Sequence, residues 1–431
     1  MRQRLLQLGA IASVIALFNW LARHQRPRLL FDSSAYLEAA NKPWSVDQLF
    51  YPKPPLVPLV YRACGADPAV IVVVQRVLAL ASWTCLAVAL VTYFHTRRAR
   101  IAAGVVAALF LLAPVRVGYV DAVLSESIND SLFALAIAAL LMIGRRPRVA
   151  VPALAAIATV WTFARDTNAI VVLGGAGCAV VLAWRGRWVF AAIAVPVVAA
   201  LFVLWSVDVV PDNAHFAVQP DWPAELTSRG ALSKLNNVVD RVLPDPDARA
   251  FFKDHGLAQA DELAAIADRA DIIRNPAYAA SRAWIAERSR GVLVGYLARH
   301  PIDRVVDQVR YAPSLLGLDT QGFYMPPGWI GYRASPVVWL CGLSANWVLL
   351  IALAVLFPIA MWRCRRHPGA RLALCLLAIG WLGSVAAFYG DSAEYGRHCY
   401  GTGQQIVFAL WFAALLHLER SGAPHGSVES C

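Results

Sequence analysis

A chain of 431 residues, 59% of them hydrophobic and with a mean hydropathy of +0.54, falls outside the range of ordinary soluble globules. Its formal charge of +11 does not mark a nucleic-acid binder. The basic residues, nearly all Arg apart from Lys42, Lys53, Lys234 and Lys253, stand in short clusters between apolar runs.

Apolar runs of roughly 18 residues recur along the length, the pattern of a multi-spanning helical membrane protein. The first, about 5–21, follows Arg2 and Arg4. It resembles a signal peptide but has no small-x-small cleavage site, so it reads as an uncleaved span that starts in the cytoplasm. Loop 24–68 then lies outside, with short helices expected at 33–40 and 55–63; Pro55 suits a first helical turn. Further spans are expected at 69–93, 101–119, 128–143 and 149–164, then one beyond Asn168 and one at 188–207. The clusters at Arg97-Arg98, Arg145-Arg146 and Arg185-Gly186-Arg187 fall on one side, and the turns at Asp121–Glu126 and Arg165-Asp166 on the other. That alternation sets the topology.

From 208 to 335 the composition turns polar, with a helical pattern at 258–270. Near its end, 295–316 carries apolar residues at helical spacing among Arg and Asp, as in a helix lying in the membrane interface. Spans at 336–361, 372–388 and 404–418 complete about ten, with both termini cytoplasmic. The division is a transmembrane module at 1–207, an outward-facing helical domain at 208–335 and a second transmembrane module at 336–431. The eight cysteines lack metal-binding spacing and read as small hydrophobes. Cys64 and Cys399 fall on the side that can be oxidising. The preference for Arg, Ala and Val fits a GC-rich bacterial genome.

Four outward turns carry ionisable residues: Asp32 with Lys53, Asp121 with Glu126, Arg165 with Asp166, and Glu394 with Arg397 and His398. Each has a plain structural reading. Asp121 and Asp166 suit helix starts, Arg165 an interfacial anchor, Glu394 and Arg397 an i, i+3 pair, His398 an interface position and Asp32 a solvated loop. Together they suit a lipid-linked phosphate. Lys53, Arg165, Arg397 and His398 would bind the anion, and a carboxylate would accept a proton from an attacking hydroxyl.

The run Phe31-Asp32-Ser33-Ser34-Ala35-Tyr36, the segment Lys53-Pro54-Pro55-Leu56, and Glu394 to His398 resemble motifs of the GT-C superfamily of membrane glycosyltransferases. The Lys-Pro-Pro-Leu segment is similar to that of lipid A aminoarabinose transferases, with Pro52 where that family often carries a carboxylate. Leu297 to Pro301 and Thr162 to Arg165 match two further short runs, the second without its proline. The resemblance implies an all-α, polytopic GT-C-like bundle in the bacterial inner membrane, with its active site outside. It implies sugar transfer from a polyprenyl-phosphate donor to a glycan, lipid or protein acceptor, with inversion. Asp32 would be the base, Tyr36 and Glu394 would position substrate, and Glu126 or Asp121 would assist. A divalent cation (Mg, Mn or Ca) held by Asp32, Asp121 and Glu126 stays open. So do two rival readings, a ligase or polymerase of lipid-linked glycans and a transporter or flippase. Nucleotide sugars find no Gly-rich cradle or DxD pair outside the spans.

Overall fold

A computed structural model describes residues 12–19, 22, 27–30, 32–43, 54–182, 187–209, 223–226, 230–266, 269–310, 312, 347–390 and 395–422. Among these the chain is helical, with one isolated parallel bridge, Arg28 to Ala122, and no strand. After helical residues 12–19 come α1 (Ser33–Asn41), α2 (Leu56–Ala63), α3 (Pro68–Tyr93), α4 (Arg97–Leu111), α5 (Pro114–Val120) and α6 (Ser125–Met142). Then follow α7 (Pro147–Thr162), α8 (Asp166–Leu182) and α9 (Arg187–Val209).

Local chemistry sets several boundaries. Asp67 caps α3 by accepting from Ala69 N at 2.7 Å, with Pro68 at the first position, where its missing N–H costs nothing. Thr96 caps α4 the same way, through Ala99 N at 3.3 Å. The span expected at 101–119 is corrected to two helices. Pro114 cannot continue α4, and it forces Ala113 into an extended ψ of 128°, so α5 restarts at the proline.

The polar middle of the chain folds into a separate small helical domain. It comprises α10 (Ala231–Asn237) with a π-helical turn (Val238–Val242), α11 (Pro246–Asp254), α12 (Ala260–Ala264), α13 (Arg269–Arg274), α14 (Ala279–Arg299) and α15 (Pro301–Arg310). Its own apolar core gathers Leu235, Val242, Phe252, Leu263 and Ile285. The single interfacial helix expected at 295–316 is corrected too. Helix α14 runs on through Gly295 to Arg299, and α15 begins at Pro301 with Ile302, Val306 and Val309 exposed.

The last elements are α16 (Trp347–Arg363), α17 (Pro368–Gly390) and α18 (Tyr395–Gly422). Four helices are long and apolar enough to cross a membrane: Pro68–Tyr93, Ser125–Met142, Pro368–Tyr389 and Cys399–Ser421. Shorter apolar helices cover Pro147–Thr162, Ala192–Val207 and Val348–Arg363. The chain is therefore an all-α membrane protein, with four spans of full length among the described residues where ten were expected. Residues 5–11, 20 and 21 of the expected first span and 336–346 of the eighth lie outside the described residues.

One core joins the bundle, with α17 on α18, α3 between α4 and α6, and α8 against α9 and α17. Among the described residues, the arginine-bearing α3–α4 and α16–α17 turns meet the end of α18 at one end of the bundle, and the turns carrying Asp121 and Arg165 lie at the other. At the basic end Glu419 accepts from His95 N at 2.7 Å and from Thr96 N and Oγ1 at 2.9 and 2.7 Å, tying α18 to the α3–α4 turn.

Candidate functional site

The opposite end is assembled around the turn between α5 and α6. Arg28 N donates to Asp121 O at 2.9 Å and Val123 N to Arg28 O at 3.0 Å, so the segment before α1 lies along this turn. Ser33, fully buried, donates to Val123 O at 2.9 Å and accepts from Leu30 N at 2.8 Å. That fixes the first turn of α1, and with it the backbone of Asp32. Asp32 holds the capping position of α1, yet its side chain makes no capping hydrogen bond. The helix-cap role open to any acid at a helix start is therefore not how this carboxylate is used.

Tyr36 is buried, its ring 6.2 Å from that of Tyr61 in an edge-on contact. Tyr61 donates to Leu124 O at 2.8 Å, and Gln75 donates to Val120 O and Ala122 O at 3.0 and 2.9 Å. So α1, α2 and α3 all grip the same turn. The α2 segment reaches further: Leu56 N donates to Phe163 O at 3.1 Å, which joins it to the turn between α7 and α8. Lys53 itself, with Glu394, lies outside the described residues.

Two of the expected site carboxylates are committed to arginines. Asp121, fully buried, accepts from Arg76 Nε and Nη2 at 2.8 and 2.6 Å, and Arg76 also reaches Ala22 O at 2.9 Å. Burial raises the Asp121 carboxyl to about 6, against the opposing pull of Arg76 and Arg28. Glu126, 1% exposed, accepts from Arg165 Nη1 at 2.9 Å. A buried pair of this kind needs further hydrogen bonds to offset its desolvation. Ser125 Oγ stands 3.5 Å from the other Glu126 oxygen.

Beside this pair, Asn129 Oδ1 accepts from Trp161 Nε1 at 2.7 Å and Asn168 Nδ2 at 2.8 Å, linking α6, α7 and α8. Helix α18 closes on the same place. A Cβ on Gly401 would sit 2.5 Å from Asn129 Nδ2, so only glycine allows this approach without a shift. Cys399 lies within electrostatic range of Arg165. Arg397 and His398 occupy the first turn of α18, two residues and one residue before Cys399; their side chains lie outside the described ones.

Deeper in the bundle is a third ion pair. Arg116 Nε donates to Asp130 Oδ2 at 2.8 Å, Tyr400 Oη donates to the same oxygen at 2.9 Å, and Arg116 Nη1 donates to Phe110 O. The Trp83 ring lies 3.9 Å from the guanidinium carbon, a cation–π contact. Arg116 is 1% exposed, and its Nη2 and Trp83 Nε1 have no hydrogen-bond partner among the described residues.

The structure thus brings Asp32, Tyr36, Pro54-Pro55-Leu56, Asp121, Glu126, Arg165 and the first turn of α18 to one end of the bundle. Arg76, Arg116, Asn129, Asp130 and Asn168 were not anticipated. Their signal was the cost of polar side chains inside apolar runs, as in Gln75-Arg76 and Asn129-Asp130. Among the described residues no three His, Cys, Asp or Glu side chains come together as a metal site. With Asp121 and Glu126 held by arginines, the donor set does not fit a divalent ion shared with Asp32. The chain matches no family model, no curated protein and no solved structure.

Proposed function

We propose that this protein is a membrane glycosyltransferase of GT-C type. It would move a sugar from a polyprenyl-phosphate donor to a hydroxyl acceptor, with inversion at the anomeric carbon. The observation that carries the reading is the gathering of α1, the α5–α6 turn, the α7–α8 turn and the start of α18 at one end of the bundle. Asp32 sits at the rim of that assembly, and buried arginine–carboxylate pairs brace it from below.

In this reading Asp32 accepts the proton of the acceptor hydroxyl as the oxygen attacks, which is general base catalysis. The donor phosphate leaves as an anion and is met by Lys53, Arg165 and Arg397, with His398 beside them. Arg165 carries five N–H donors, and Glu126 aims the guanidinium by engaging one of them. Tyr36 and Glu394 position substrate. Asp121, clamped by Arg76 and Arg28, holds the turn in register rather than meeting substrate. The full GT-C arrangement of about ten spans, with the polar end facing the periplasm and both termini in the cytoplasm of a bacterium, belongs to this proposal. Incubating the purified protein with labelled polyprenyl-phosphate sugars and mixed envelope glycans tests it. Transfer of label from one donor supports the reading, and no transfer from any donor opposes it.

A second reading, a transporter or flippase of lipid-linked sugars, draws on one observation. The α4–α5 helix is broken at Leu112-Ala113, and Arg116 and Asp130 are buried beyond the break. Charges beside broken helices mark transport sites in many carriers. Movement of labelled lipid across sealed vesicles without sugar transfer would favour it.

A further inference from the structure

The chain from Trp161 to Asn168 turns from α7 into α8 and carries Arg165. It is held to α6 at two points, one helical turn apart on the same face of that helix. Glu126 accepts from Arg165 Nη1 at 2.9 Å. Three residues on, Asn129 Oδ1 accepts from Trp161 Nε1 at 2.7 Å and from Asn168 Nδ2 at 2.8 Å. Asn129 and Asn168 are both buried, so these bonds form away from bulk water.

The donors and acceptors allow one arrangement. The indole N–H of Trp161 can only donate, so Asn129 must offer Oδ1. A carbonyl oxygen takes two donors, and Asn168 fills the second place with Nδ2. The same Nδ2 also donates to Trp161 O at 2.8 Å, so both of its N–H groups are used. Trp161 O already accepts from Ala164 N at 3.0 Å, so Asn168 is not needed to satisfy the end of α7. The backbone N–H of Asn168 donates to Arg165 O at 3.1 Å. Asn168 therefore ties together Trp161, Arg165 and α6.

Glu126 engages only the head of the Arg165 side chain, and the other end of that long chain goes where its backbone goes. Binding groups must be held to within about 0.5 Å by the residues that support them. We propose that Asn168, anchored by Asn129, is a positioning residue for Arg165. Its amide fixes the turn backbone from which the guanidinium meets the donor phosphate. The inference rests on the proposed role of Arg165 as a phosphate ligand. It gives two buried amides a part in binding that they play through the turn.

The test is a double-variant cycle on the full-length protein in nanodiscs, with a polyprenyl phosphate as the probe. Arg165→Gln keeps a donor for Glu126 and loses the charge, so it should weaken binding by about tenfold or more. Asn168→Leu, similar in volume but without donors, should weaken binding by about threefold or more. The two together should bind like Arg165→Gln alone, within about twofold, because Asn168 acts through Arg165. An amide with a purely structural role would instead add its own loss to that of Arg165→Gln. A second readout needs no ligand. Labelling of Arg165 by phenylglyoxal, followed by mass spectrometry, should quicken by about threefold or more in Asn168→Leu. Asn168→Ser, which keeps one donor, is read in the same way if the leucine variant does not fold. Equal binding by the wild type and Arg165→Gln would contradict the proposed phosphate role of Arg165, and the labelling rate then decides whether Asn168 sets that side chain. Unchanged labelling, or independent losses in the cycle, overturns the proposal.

Discussion

The two parts of this molecule place most of their charges differently. In the small domain an apolar core of Leu235, Phe252 and Ile285 is closed inside, and charges such as Lys253, Arg249 and Asp261 pair on the surface, with Arg282 and Glu225 as a buried exception. In the bundle the apolar side chains also face outward, Val73, Val77, Val198 and Ile351 among them, and the charges are drawn inward. Arg116 with Asp130 and Arg165 with Glu126 are buried pairs. Water can solvate an unmatched charge on the domain, whereas within the bundle each charge must find its partner in the protein. The bundle's interior polar groups therefore carry structure and candidate chemistry together.

The sharpest break of this contrast is at Arg116. Arg116→Met leaves Asp130 buried without its cation and should destabilise the protein by about 3–5 kcal/mol, read from denaturant or thermal unfolding in detergent. Arg116→Met with Asp130→Leu should recover much of that loss, because an apolar pair of similar volume avoids the desolvation penalty. If the double variant is no better than the single, the pair is not what holds α6 to α5.

Gly401→Ala should cost about 1–3 kcal/mol, since the added methyl meets Asn129 Nδ2 in a site already filled. Addition of a methyl without loss of stability would mean that α18 is not seated on the Asn129 network.

A smaller effect follows pH. The Asp121 carboxyl titrates near 6 in the folded protein, above its ordinary value near 4. The folded state therefore takes up this proton at higher pH than the unfolded state does. Its contribution to stability rises as pH falls from above 6 toward 4 and is lost as pH rises through 6. Asp121→Asn should flatten that part of the stability profile, and an unchanged profile would assign the slope to other groups. The smallest effect belongs to the domain surface. Lys253→Ala removes a 2.5 Å contact to Asp261 between two exposed side chains, and the melting temperature should not move measurably.

Much of the helical plan was readable in the sequence. The spans expected at 69–93 and 128–143 correspond to Pro68–Tyr93 and Ser125–Met142, because length and apolar content decide such helices locally. The expected 101–119 span was misread by giving apolar content more weight than Pro114. Pro301 likewise ends α14 inside what was read as one continuous helix. At the candidate site, Asp32, Glu126 and Arg165 could be picked out because ionisable groups at span ends are conspicuous. Their pairings could not. Arg76 reaches Asp121 from 45 positions away and Arg165 reaches Glu126 from 39, choices made by helix packing and not by spacing.

The central claim is that Asp32, at the uncapped start of α1, is a base while the buried pairs beneath it are scaffold. Asp32→Asn keeps the size of the side chain and removes its proton-accepting charge. The decisive measurement is the turnover of this variant, with the polyprenyl-phosphate donor that the wild type uses, beside its donor affinity and melting temperature. Turnover should fall by about 10²–10⁴-fold while both other values stay at the wild-type level. Full turnover with Asp32→Asn would contradict the claim and move the search for a base to Glu126.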